Sequence, residues 1–454
     1  MKNALILLFA LAALSSARAA EPASSLRAGA AHADITPEPA VLNWITGKPY
    51  GAVLDSLTVH ALVLGDGRTK VVIIRWDLVD VSESARDEVR RAVGATLKIP
   101  GENIMVNASH NHSAPWSPVW RAGFRGKERD TWWALRYMPA QNEFPPFKRW
   151  MERLLAACVD AAERADGSSQ EVSLMVGRVA LSDYLWNRRQ RAPAWGLAPG
   201  KRPAAVQFNS PDWAPEVAQG GATFGPLDRT LSLVSFRAVD DRPVASLFHV
   251  ACHAVAIYPS DPSISADWPG PTAQAISNAL GGEALFLQGC AGDINPWRRG
   301  SAAVAEMAAG TAKKMQAAAK FAVRLQPGPL EVGRKMVELP LTAEGRKRLG
   351  ADTVAAEIQV LVCGPLALVA LPGEPMTELG LAIRDRSPFP QTLVLGYTNG
   401  NGAHYVGMPG EKARGGYEAG VAGAGTDPCA GLMIDAAVSV LDELATRTGH
   451  VLKK

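Results

Sequence analysis

The sequence predicts an α/β protein in which layered, mixed β-sheets are flanked by helices. Strand-like and helix-like segments alternate along most of its 454 residues, and such alternation is typical of sheets covered by helices. The length suits one large domain or two of ordinary size, at ~100–200 residues each. Because no internal repeat and no linker interrupts the alternation, we expect one domain over residues 21–454.

The first half of the chain predicts a strand–helix–strand unit and then further elements. Residues 70–80 form an apolar run typical of a buried strand, and residues 83–97 have helical periodicity behind a Ser82 cap. Residues 103–109 are strand-like again, and residues 147–165 predict a strong helix. Three more strands are expected at 171–181, 231–239 and 244–253.

The second half continues the same alternation. It predicts a helix from about Pro271, a strand at 284–289 and an alanine-rich helix at 301–321. Residues 357–373 have the pattern of a hairpin that turns at Gly364-Pro365. The remaining predicted elements are a helix at 375–386, a strand at 392–397 and a closing helix at 431–447.

Residues 1–20 have the pattern of a secretory signal peptide. A lysine near the start is followed by an apolar run and by Ala17-Arg18-Ala19, which fits a cleavage site. The run is shorter than the ~20 residues of a membrane-spanning helix, and no later segment has transmembrane character. We therefore expect an exported protein, periplasmic or secreted, without a transmembrane segment.

Charge and cysteine content argue against several classes of protein. The formal net charge is +3, with acids and bases interspersed, unlike the clustered basic face that binds nucleic acid. Five cysteines are widely scattered without a C-x-x-C pair, which excludes a dense disulfide framework and a thiolate zinc site. At most two disulfides can form, and Cys252 and Cys290 could equally be small buried apolar residues.

Two regions, at about 116–150 and at 184–226, interrupt the alternation. The first is rich in tryptophan and arginine, and the second in proline, glycine, arginine and tryptophan. Long aperiodic loops in compact domains tend to be functional or disordered. We interpret the first as an insertion whose Trp116 and Trp120 bind substrate, by stacking on a sugar or covering an acyl chain. The alternative is that these tryptophans only pin the loop to the body.

Four loops at the ends of predicted strands carry candidate metal ligands. The first contains His110 and His112; because side chains one residue apart point to opposite sides of a strand, both could bind one ion only in a turn. We therefore expect one to bind metal and the other to face substrate. The other loops carry His253, Glu374 and Tyr405.

Imidazole and carboxylate ligands suit zinc, and an open catalytic site keeps three protein ligands plus water. Against this, a lone buried histidine is more commonly a hydrogen-bonded core residue. A fifth loop, "GCAGDINP", adds Asp293 and Asn295 after a strand. Their alternative role is a turn in which both side chains bond to their own backbone.

The ordered set of motifs resembles the catalytic domain of the neutral/alkaline, non-lysosomal ceramidase family, from about residue 28 to the C-terminus. "SHNHSAP" is similar to that family's T-H-T-H-S-G-P motif, "ACHAVAIYP" to its second histidine loop and "LPGEPMTELG" to its P-G-E loop. "GCAGDINP" is similar to G-D-V-S-P, "WNRRQR" to N-R-S-P, and "AHYVGMPGEKARGGYEA" to a Y-x-x-x…Y-E segment. Each motif is modest alone, but six in the right order make the resemblance specific.

The resemblance implies one zinc ion per chain and a role for each matching residue. The implied zinc ligands are His110, His253, Glu374 and Tyr405. His112 matches a histidine that faces the scissile group, and Arg188 matches a residue that contacts polar groups of the substrate. His404 is not on the family pattern.

Two departures from the family shape the expected chemistry. Asn295 stands where the family has a serine, and an asparagine amide cannot act as a nucleophile. The route through metal-activated water remains, with Asn295 positioning the water or donating to an oxyanion. The chain also ends soon after the catalytic domain, so we expect no immunoglobulin-like domain after it.

Together these observations predict an exported zinc-dependent hydrolase that cleaves an amide bond, or alternatively an ester, with metal-activated water. His112 or Asp293 would carry the proton to the leaving group, while Tyr405 shares the oxyanion charge. The expected substrate is an N-acyl lipid or an acylated sugar or glycan. The alternative is a non-catalytic binding protein on the same fold.

Overall fold

The computed structural model describes residues 25–120, 143–192, 223–258 and 261–450. The predicted signal peptide and the 121–142 part of the predicted insertion lie outside the described residues. Within the described ranges, no helix combines the length and the apolar character needed to cross a membrane.

The strands of the described chain are numbered in chain order. They are β1 Arg27–Asp34, β2 Thr58–Gly65, β3 Lys70–Trp76, β4 Ile104–Ala108, β5 Gln170–Ala180, β6 Leu185–Asn187, β7 Gln190–Ala192, β8 Thr223–Phe224, β9 Thr230–Ala238, β10 Pro243–Val250, β11 Glu283–Gln288, β12 Ile294–Pro296, β13 Val323–Leu325, β14 Leu330–Pro340, β15 Thr353–Cys363, β16 Leu366–Ala370, β17 Glu374–Pro375, β18 Gln391–Leu395 and β19 Tyr405–Val406.

The helices are numbered in the same way. They are α1 Glu83–Leu97, α2 Pro145–Gly167, α3 Pro269–Leu280, α4 Ser301–Lys320, α5 Ala343–Leu349, α6 Thr377–Arg386, α7 Glu411–Arg414 and α8 Pro428–Thr448. A short 3₁₀ helix at Gly101–Asn103 and a π-helix at Tyr417–Ala422 complete the described elements.

A large mixed sheet forms the first half of the fold. Among the described residues its strand order is β11-β10-β9-β5-β1-β2-β3-β4, with β13 added beside β5. Most pairs are antiparallel, but β3 with β4 and β10 with β11 are parallel. The sheet curls, because residues of β11 at one end of this order lie close to β3 and β4 at the other. Consequently the chain segments that follow β4, β10 and β11 emerge near one another.

A smaller sheet, with the order β14-β15-β16-β18, packs against the large one. Leucines of β2, β10 and β11 meet leucines of β15, β16 and β18 in one buried apolar cluster, which forms the interface between the two sheets. The other face of the large sheet packs on α1 to α4, and the other face of the small sheet packs on α6 and α8. The molecule is therefore layered as helices, sheet, sheet and helices, as the sequence predicts.

The sequence-based elements are present with shifts of a few residues at their ends, with one informative difference. We expected a helix from residue 375, but Glu374 and Pro375 form a short strand paired with Tyr405 and Val406, and the helix begins at Thr377. The strands β1, β2 and β14 and the helix α5 were not predicted. All five cysteines are buried and free.

Candidate metal centre

Loops from both sheets meet at the carboxyl ends of β4, β10 and β18. Isolated bridges join Asn107 to Thr398 and Asn111 to Ala254, so the loop after β4 is tied to the loops after β18 and β10. Gly289, directly after β11, is bridged to Leu395 in the same way. These backbone ties bring the predicted ligand loops to one place.

The loop after β4 turns sharply at His110, whose φ is +60°. Its Nδ1 lies 2.7 Å from the carbonyl oxygen of Val79. Because a carbonyl can only accept, Nδ1 carries a proton, and in the neutral tautomer Nε2 has the lone pair. The turn also brings His112 to the same side, with 3.1 Å between the two Nε2 atoms. The alternation expected of an extended strand is therefore broken here, and both imidazoles face one point.

His253, after β10, is oriented by the same kind of contact. Its Nδ1 lies 2.6 Å from the carbonyl oxygen of Ala291, so this ring too donates from Nδ1 and presents the lone pair of Nε2. Burial lowers the pKa of His253 to about 4, with Arg188 and His110 adding to the effect. Burial likewise holds the pKa of His112 well below its usual value. Both rings are neutral near pH 7, as a metal ligand or proton acceptor must be.

Glu374 lies at the centre of the site. Its Oε2 is 3.1 Å from His110 Nε2 and 3.3 Å from His253 Nε2, and its Oε1 is 3.4 Å from His404 Nδ1. Burial by itself would raise the pKa of Glu374, but His110 and the other imidazoles hold it well below its usual value. The carboxyl is therefore a carboxylate. Its extended backbone, paired with Tyr405, aims it into the cluster.

Tyr405 completes the cluster as the resemblance implies. Its hydroxyl oxygen lies 3.4 Å from His253 Nε2 and 3.2 Å from a guanidinium nitrogen of Arg188. Burial raises the pKa of Tyr405 well above its usual value, and Glu374 adds to the effect. The phenol is therefore protonated and can donate a hydrogen bond.

Arg188 lies beside the cluster, and its guanidinium already has several partners. Its Nε donates to Glu418 at 2.6 Å, one terminal nitrogen donates to the Gly292 carbonyl at 2.8 Å, and the other donates to Asn295 Oδ1 at 3.2 Å. Glu418 comes from the π-helix and stands in the Y-E pair of the matched segment, where the sequence assigned it no role. Arg188 therefore supplies a fixed positive charge next to Tyr405, and most of its donors are used within the protein.

Asn295 and Asp293 differ in whether all their side-chain polar atoms already have hydrogen-bond partners. Both carboxylate oxygens of Asp293 accept hydrogen bonds, from Asn187 Nδ2 at 2.6 Å and from the Thr377 N–H at 2.8 Å. Asp293 therefore holds neighbouring loops together. Asn295 is fully buried, its Oδ1 accepts from Arg188, and its Nδ2 has no hydrogen-bond partner. That amide is a buried donor next to the cluster.

The predicted substrate-binding tryptophans are buried to different extents. Trp116 is only 2% exposed, and it packs edge-on against Trp44 at 4.9 Å between ring centroids. Trp120 is partly buried against the same core. The packing of Trp116 fits the alternative in which it pins the loop to the body. Trp44, which lies in none of the motifs, contacts His112 edge-on at 5.3 Å between ring centroids.

Tyr397 is a further residue of the site that sequence reasoning missed. Its ring stacks on His110 at 4.1 Å between centroids, and its hydroxyl lies 3.4 Å from Glu374 Oε2. The available signal was its place at the end of the "TLVLGY" strand, next to the glycine-rich loop of Tyr405. His249, which lies four residues before His253, is instead 3.1 Å from the Val394 carbonyl and belongs to the core.

The donor set fits a metal ion of the zinc class. Bonds of ~2.0–2.2 Å in tetrahedral geometry place ligand atoms ~3.3 Å apart, and four pairs of candidate ligand atoms in this cluster are 3.1 to 3.4 Å apart. Two imidazole Nε2 atoms also face the same carboxylate oxygen, an arrangement that a shared cation would stabilise. His110, His112 and His253 alone place their ligand atoms within 4.8 Å of one another.

The architecture is similar to that of solved ceramidase structures. A neutral ceramidase from Pseudomonas aeruginosa superposes with a TM-score of 0.69 at 18% sequence identity, over 96% of this chain and 77% of that chain. A ceramidase complexed with C2 superposes with a TM-score of 0.70 at 18% identity, over 95% of this chain and 76% of that one. No family model and no curated protein matches the sequence. The predicted neutral-ceramidase-like fold is thus confirmed.

Proposed function

We propose that the protein is a zinc-dependent hydrolase that cleaves the amide bond of an N-acyl substrate. The observation that carries this proposal is the pair of imidazoles, His110 and His253, whose tautomers are fixed by backbone carbonyls so that both lone pairs meet the Glu374 carboxylate. Tyr405 adds a phenol at the same point. We further propose that residues 1–20 direct export and that the remainder is a single hydrolase domain.

The ligands available to zinc are His110, His253, Glu374 and Tyr405, with His112 close enough to bind as well. When bound, zinc would supply Lewis acidity, polarising the scissile carbonyl and lowering the pKa of water to ~7. The protein's own contribution is to hold these ligands in a buried setting. The Nδ1 atoms of His110 and His253 donate to backbone carbonyls, which orients each imidazole.

Three groups are placed to stabilise negative charge on the carbonyl oxygen. Tyr405 is protonated and can donate its O–H, and Arg188, 3.2 Å from that hydroxyl, makes the phenol a stronger donor. The unpaired amide of Asn295 supplies a second donor. Fixed donors aimed at developing charge are worth ~3 kcal/mol each in enzymes of known mechanism. Asn295 therefore fills a carbonyl-binding role that requires no nucleophilic side chain.

His112 is the group best placed to move a proton. It is neutral, because burial lowers its pKa, and it is only half-buried, unlike His110 and His253. Its ring also approaches Tyr258 at 5.6 Å between centroids. We propose that His112 takes a proton from the attacking water and passes it to the departing amine.

An N-acyl lipid is the first substrate to test, and an acylated sugar is the second. The ceramidase-like fold favours the lipid, whereas the burial of Trp116 removes one residue that could have covered an acyl chain. Purified protein should be incubated with an N-acyl sphingoid lipid in micelles and, separately, with a soluble N-acyl amino sugar. Release of the free amine from either one supports hydrolysis, and the ratio of the two rates identifies the class.

The decisive variant is Glu374→Gln, which keeps the shape of the side chain and removes the charge that holds the metal. We expect it to lose one zinc equivalent, measured by elemental mass spectrometry, and at least ~10³-fold in turnover, by analogy with loss of a charged catalytic group. Glu306→Gln, on the exposed face of α4, is the matched control and should retain both zinc and activity. Wild-type zinc content in Glu374→Gln would overturn the zinc assignment. A metal-free wild type without amidase or esterase activity would instead favour a binding protein on this fold.

A further inference from the structure

A second group of metal-ligating side chains lies on the large sheet and shares no residue with the candidate metal centre. It comprises His32 on β1, His60 on β2 and Glu283, the first residue of β11. One ligand atom from each of the three lies within 4.8 Å of the others. Nothing in the proposed hydrolysis uses these residues.

Strand register places the two histidines side by side. His32 pairs directly with His60 across β1 and β2, so both side chains leave the same face of the sheet. Farther along these strands Leu62 and Leu285, two residues from His60 and Glu283, are buried between the two sheets, while the buried Arg75 lies directly opposite His60 on β3. This end of the face thus carries two imidazoles and a carboxylate.

The two imidazoles direct the same ring nitrogen at one carboxylate oxygen. The Nδ1 of His32 is 3.0 Å from Glu283 Oε2, and the Nδ1 of His60 is 3.4 Å from it. These separations match the ~3.3 Å expected between ligands of a tetrahedral ion with bonds of ~2.0–2.2 Å. The arrangement repeats the separations found between His110, His253 and Glu374.

Hydrogen bonding fixes the tautomer of neutral His60 and leaves its Nδ1 without a proton. The hydroxyl of Thr58 donates its only proton to Asp77 Oδ2 at 2.8 Å. The His60 Nε2, 3.1 Å from that hydroxyl oxygen, must therefore be the donor, and neutral His60 keeps a lone pair on Nδ1. This Nδ1 is buried without a hydrogen-bond partner and faces the carboxylate of Glu283. A cation between the carboxylate oxygen and this lone pair would stabilise an arrangement in which the two atoms face each other.

We propose that His32, His60 and Glu283 bind a divalent cation of the zinc class, with water in the remaining position. Two imidazoles and one carboxylate form a donor set suited to zinc, whereas calcium and magnesium prefer sites made of oxygen. The side chain of His60 is 9% exposed and that of His32 is 53% exposed. The ion therefore has one buried ligand and an open path from solvent.

The position of this ion defines a structural role. In the strand order, β11 stands at one end of the large sheet and is separated from β1 by three strands and from β2 by four. A cation bound by residues of β1, β2 and β11 would connect these strands directly across the curled sheet. Because the unfolded chain has no preformed site, binding would stabilise the folded state by an amount that grows with the logarithm of the ion concentration once this exceeds Kd.

Zinc titration of the chelator-stripped full-length protein tests this site. We expect wild type to bind two zinc ions, and Glu283→Gln and His32→Ala each to weaken one of them by more than roughly a hundredfold, beyond the usual effect of losing an outer-shell partner. Both changes are at partly exposed positions, so the variants should fold. Glu171→Gln, an exposed carboxylate on β5, is the matched control and should bind two ions. Zinc should also raise the melting temperature of wild type by more than that of Glu283→Gln.

The result is independent of the proposed hydrolase. Glu374→Gln should lose the other ion and keep the one at His32, His60 and Glu283. If Glu283→Gln loses an ion while Glu374→Gln loses none, the second site stands and the zinc hydrolase fails. Wild-type zinc binding in both Glu283→Gln and His32→Ala would overturn the second site, and would mean that these histidines only share protons with Glu283.

Discussion

Two backbone carbonyls, those of Val79 and Ala291, orient the histidines proposed as ligands. Each accepts a hydrogen bond from the Nδ1–H of one ring, so the Nε2 atoms of His110 and His253 face the cluster and carry the lone pairs in the neutral rings. These carbonyls belong to the loops after β3 and β11. The orientation of the two motif histidines thus depends on main-chain carbonyls, whose positions the residue types in the motifs do not specify.

At the same scale, Asn295 carries a specific prediction. A buried amide donor without a partner costs ~1–3 kcal/mol, so retaining one is consistent with a partner that arrives with substrate. We expect Asn295→Ala to reduce turnover by about 10²–10³-fold and to leave zinc content unchanged. The folded state should lose about 1–3 kcal/mol, because the change also removes the Oδ1 that accepts a hydrogen bond from the buried Arg188. Turnover and elemental analysis of the same preparation provide the measurement.

Two further variants isolate the donor role of Asn295. Asn295→Asp keeps an acceptor for Arg188 but has no N–H to donate, so its turnover should fall as far as that of Asn295→Ala. Asn278→Ala, on the exposed surface of α3, controls for loss of an unrelated amide. Full turnover in Asn295→Asp would show that only the acceptor matters.

The ligand residues could be predicted from sequence more readily than their surroundings. His110, His253, Glu374 and Tyr405 stand in short motifs whose order is specific, and the structure brings all four together. Trp44 has no such signal, because its proximity to the site arises from packing between distant segments. Glu418 stands in a matched motif, but its pairing with Arg188 is not evident from that motif. The shared direction of His110 and His112 depends on a positive φ at His110, which residue identity does not reveal.

At the scale of elements, local pattern predicted α1 well and β1 poorly. Helix α1 has an apolar face and a Ser82 cap that accepts from the Ala85 N–H, and both features are local. Strand β1 is rich in alanine and glycine, residues with little intrinsic preference for strands. Its small residues serve tertiary packing, since a side chain at Gly29 would collide with the backbone of α2 at Ala165. Such tertiary packing cannot be predicted from residues that are adjacent in the sequence.

The loop between β3 and α1 contains a carboxyl with an unusual titration. Burial raises the pKa of Asp80 from 3.8 to about 7, although it accepts hydrogen bonds from the Ser117 N–H and from Asn401 Nδ2. Between these two pH values the folded state binds a proton that the unfolded state has released. The contribution of Asp80 to the free energy of unfolding is therefore largest below its unfolded pKa and is lost as the pH rises through about 7.

Asp80→Asn tests this linkage. The variant cannot ionise, so its stability relative to wild type should increase by on the order of 2 kcal/mol between about pH 5 and about pH 8. Urea unfolding at both pH values measures the difference. Asp87→Asn, on the outer face of α1, should show no comparable trend. A wild-type-minus-variant difference that is constant with pH would contradict the raised pKa.

At the scale of the whole molecule, one buried ion pair joins the helical layer of the large sheet to the small sheet. Arg90 on α1 donates to both carboxylate oxygens of Glu357 on β15, at 3.0 and 2.7 Å. Burial would raise the pKa of Glu357, but Arg90 outweighs it and lowers the pKa below its usual value. Both partners are thus charged in the interior.

Glu357→Gln would leave the Arg90 guanidinium buried without its counter-charge. We expect a loss of about 3 kcal/mol in the free energy of unfolding, measured by urea denaturation. Glu306→Gln, which removes an exposed pair with Arg298, should change it by less than about 1 kcal/mol. The double variant Arg90→Met with Glu357→Leu should recover most of the loss. A Glu357→Gln protein as stable as wild type would show that the pair does not connect the layers energetically.

The rate at which the five buried thiols react with an alkylating reagent would report how often the native structure opens around each of them. Burial raises the pKa of Cys158 and of Cys363 to about 12, so each is protonated as well as shielded, and an alkylating reagent reacts only with the thiolate. Modification of a given cysteine must therefore wait for the layer around it to separate. Cys158 lies on the buried face of α2 and Cys363 lies between the sheets, so their labelling rates would compare how often two different layers of the molecule come apart.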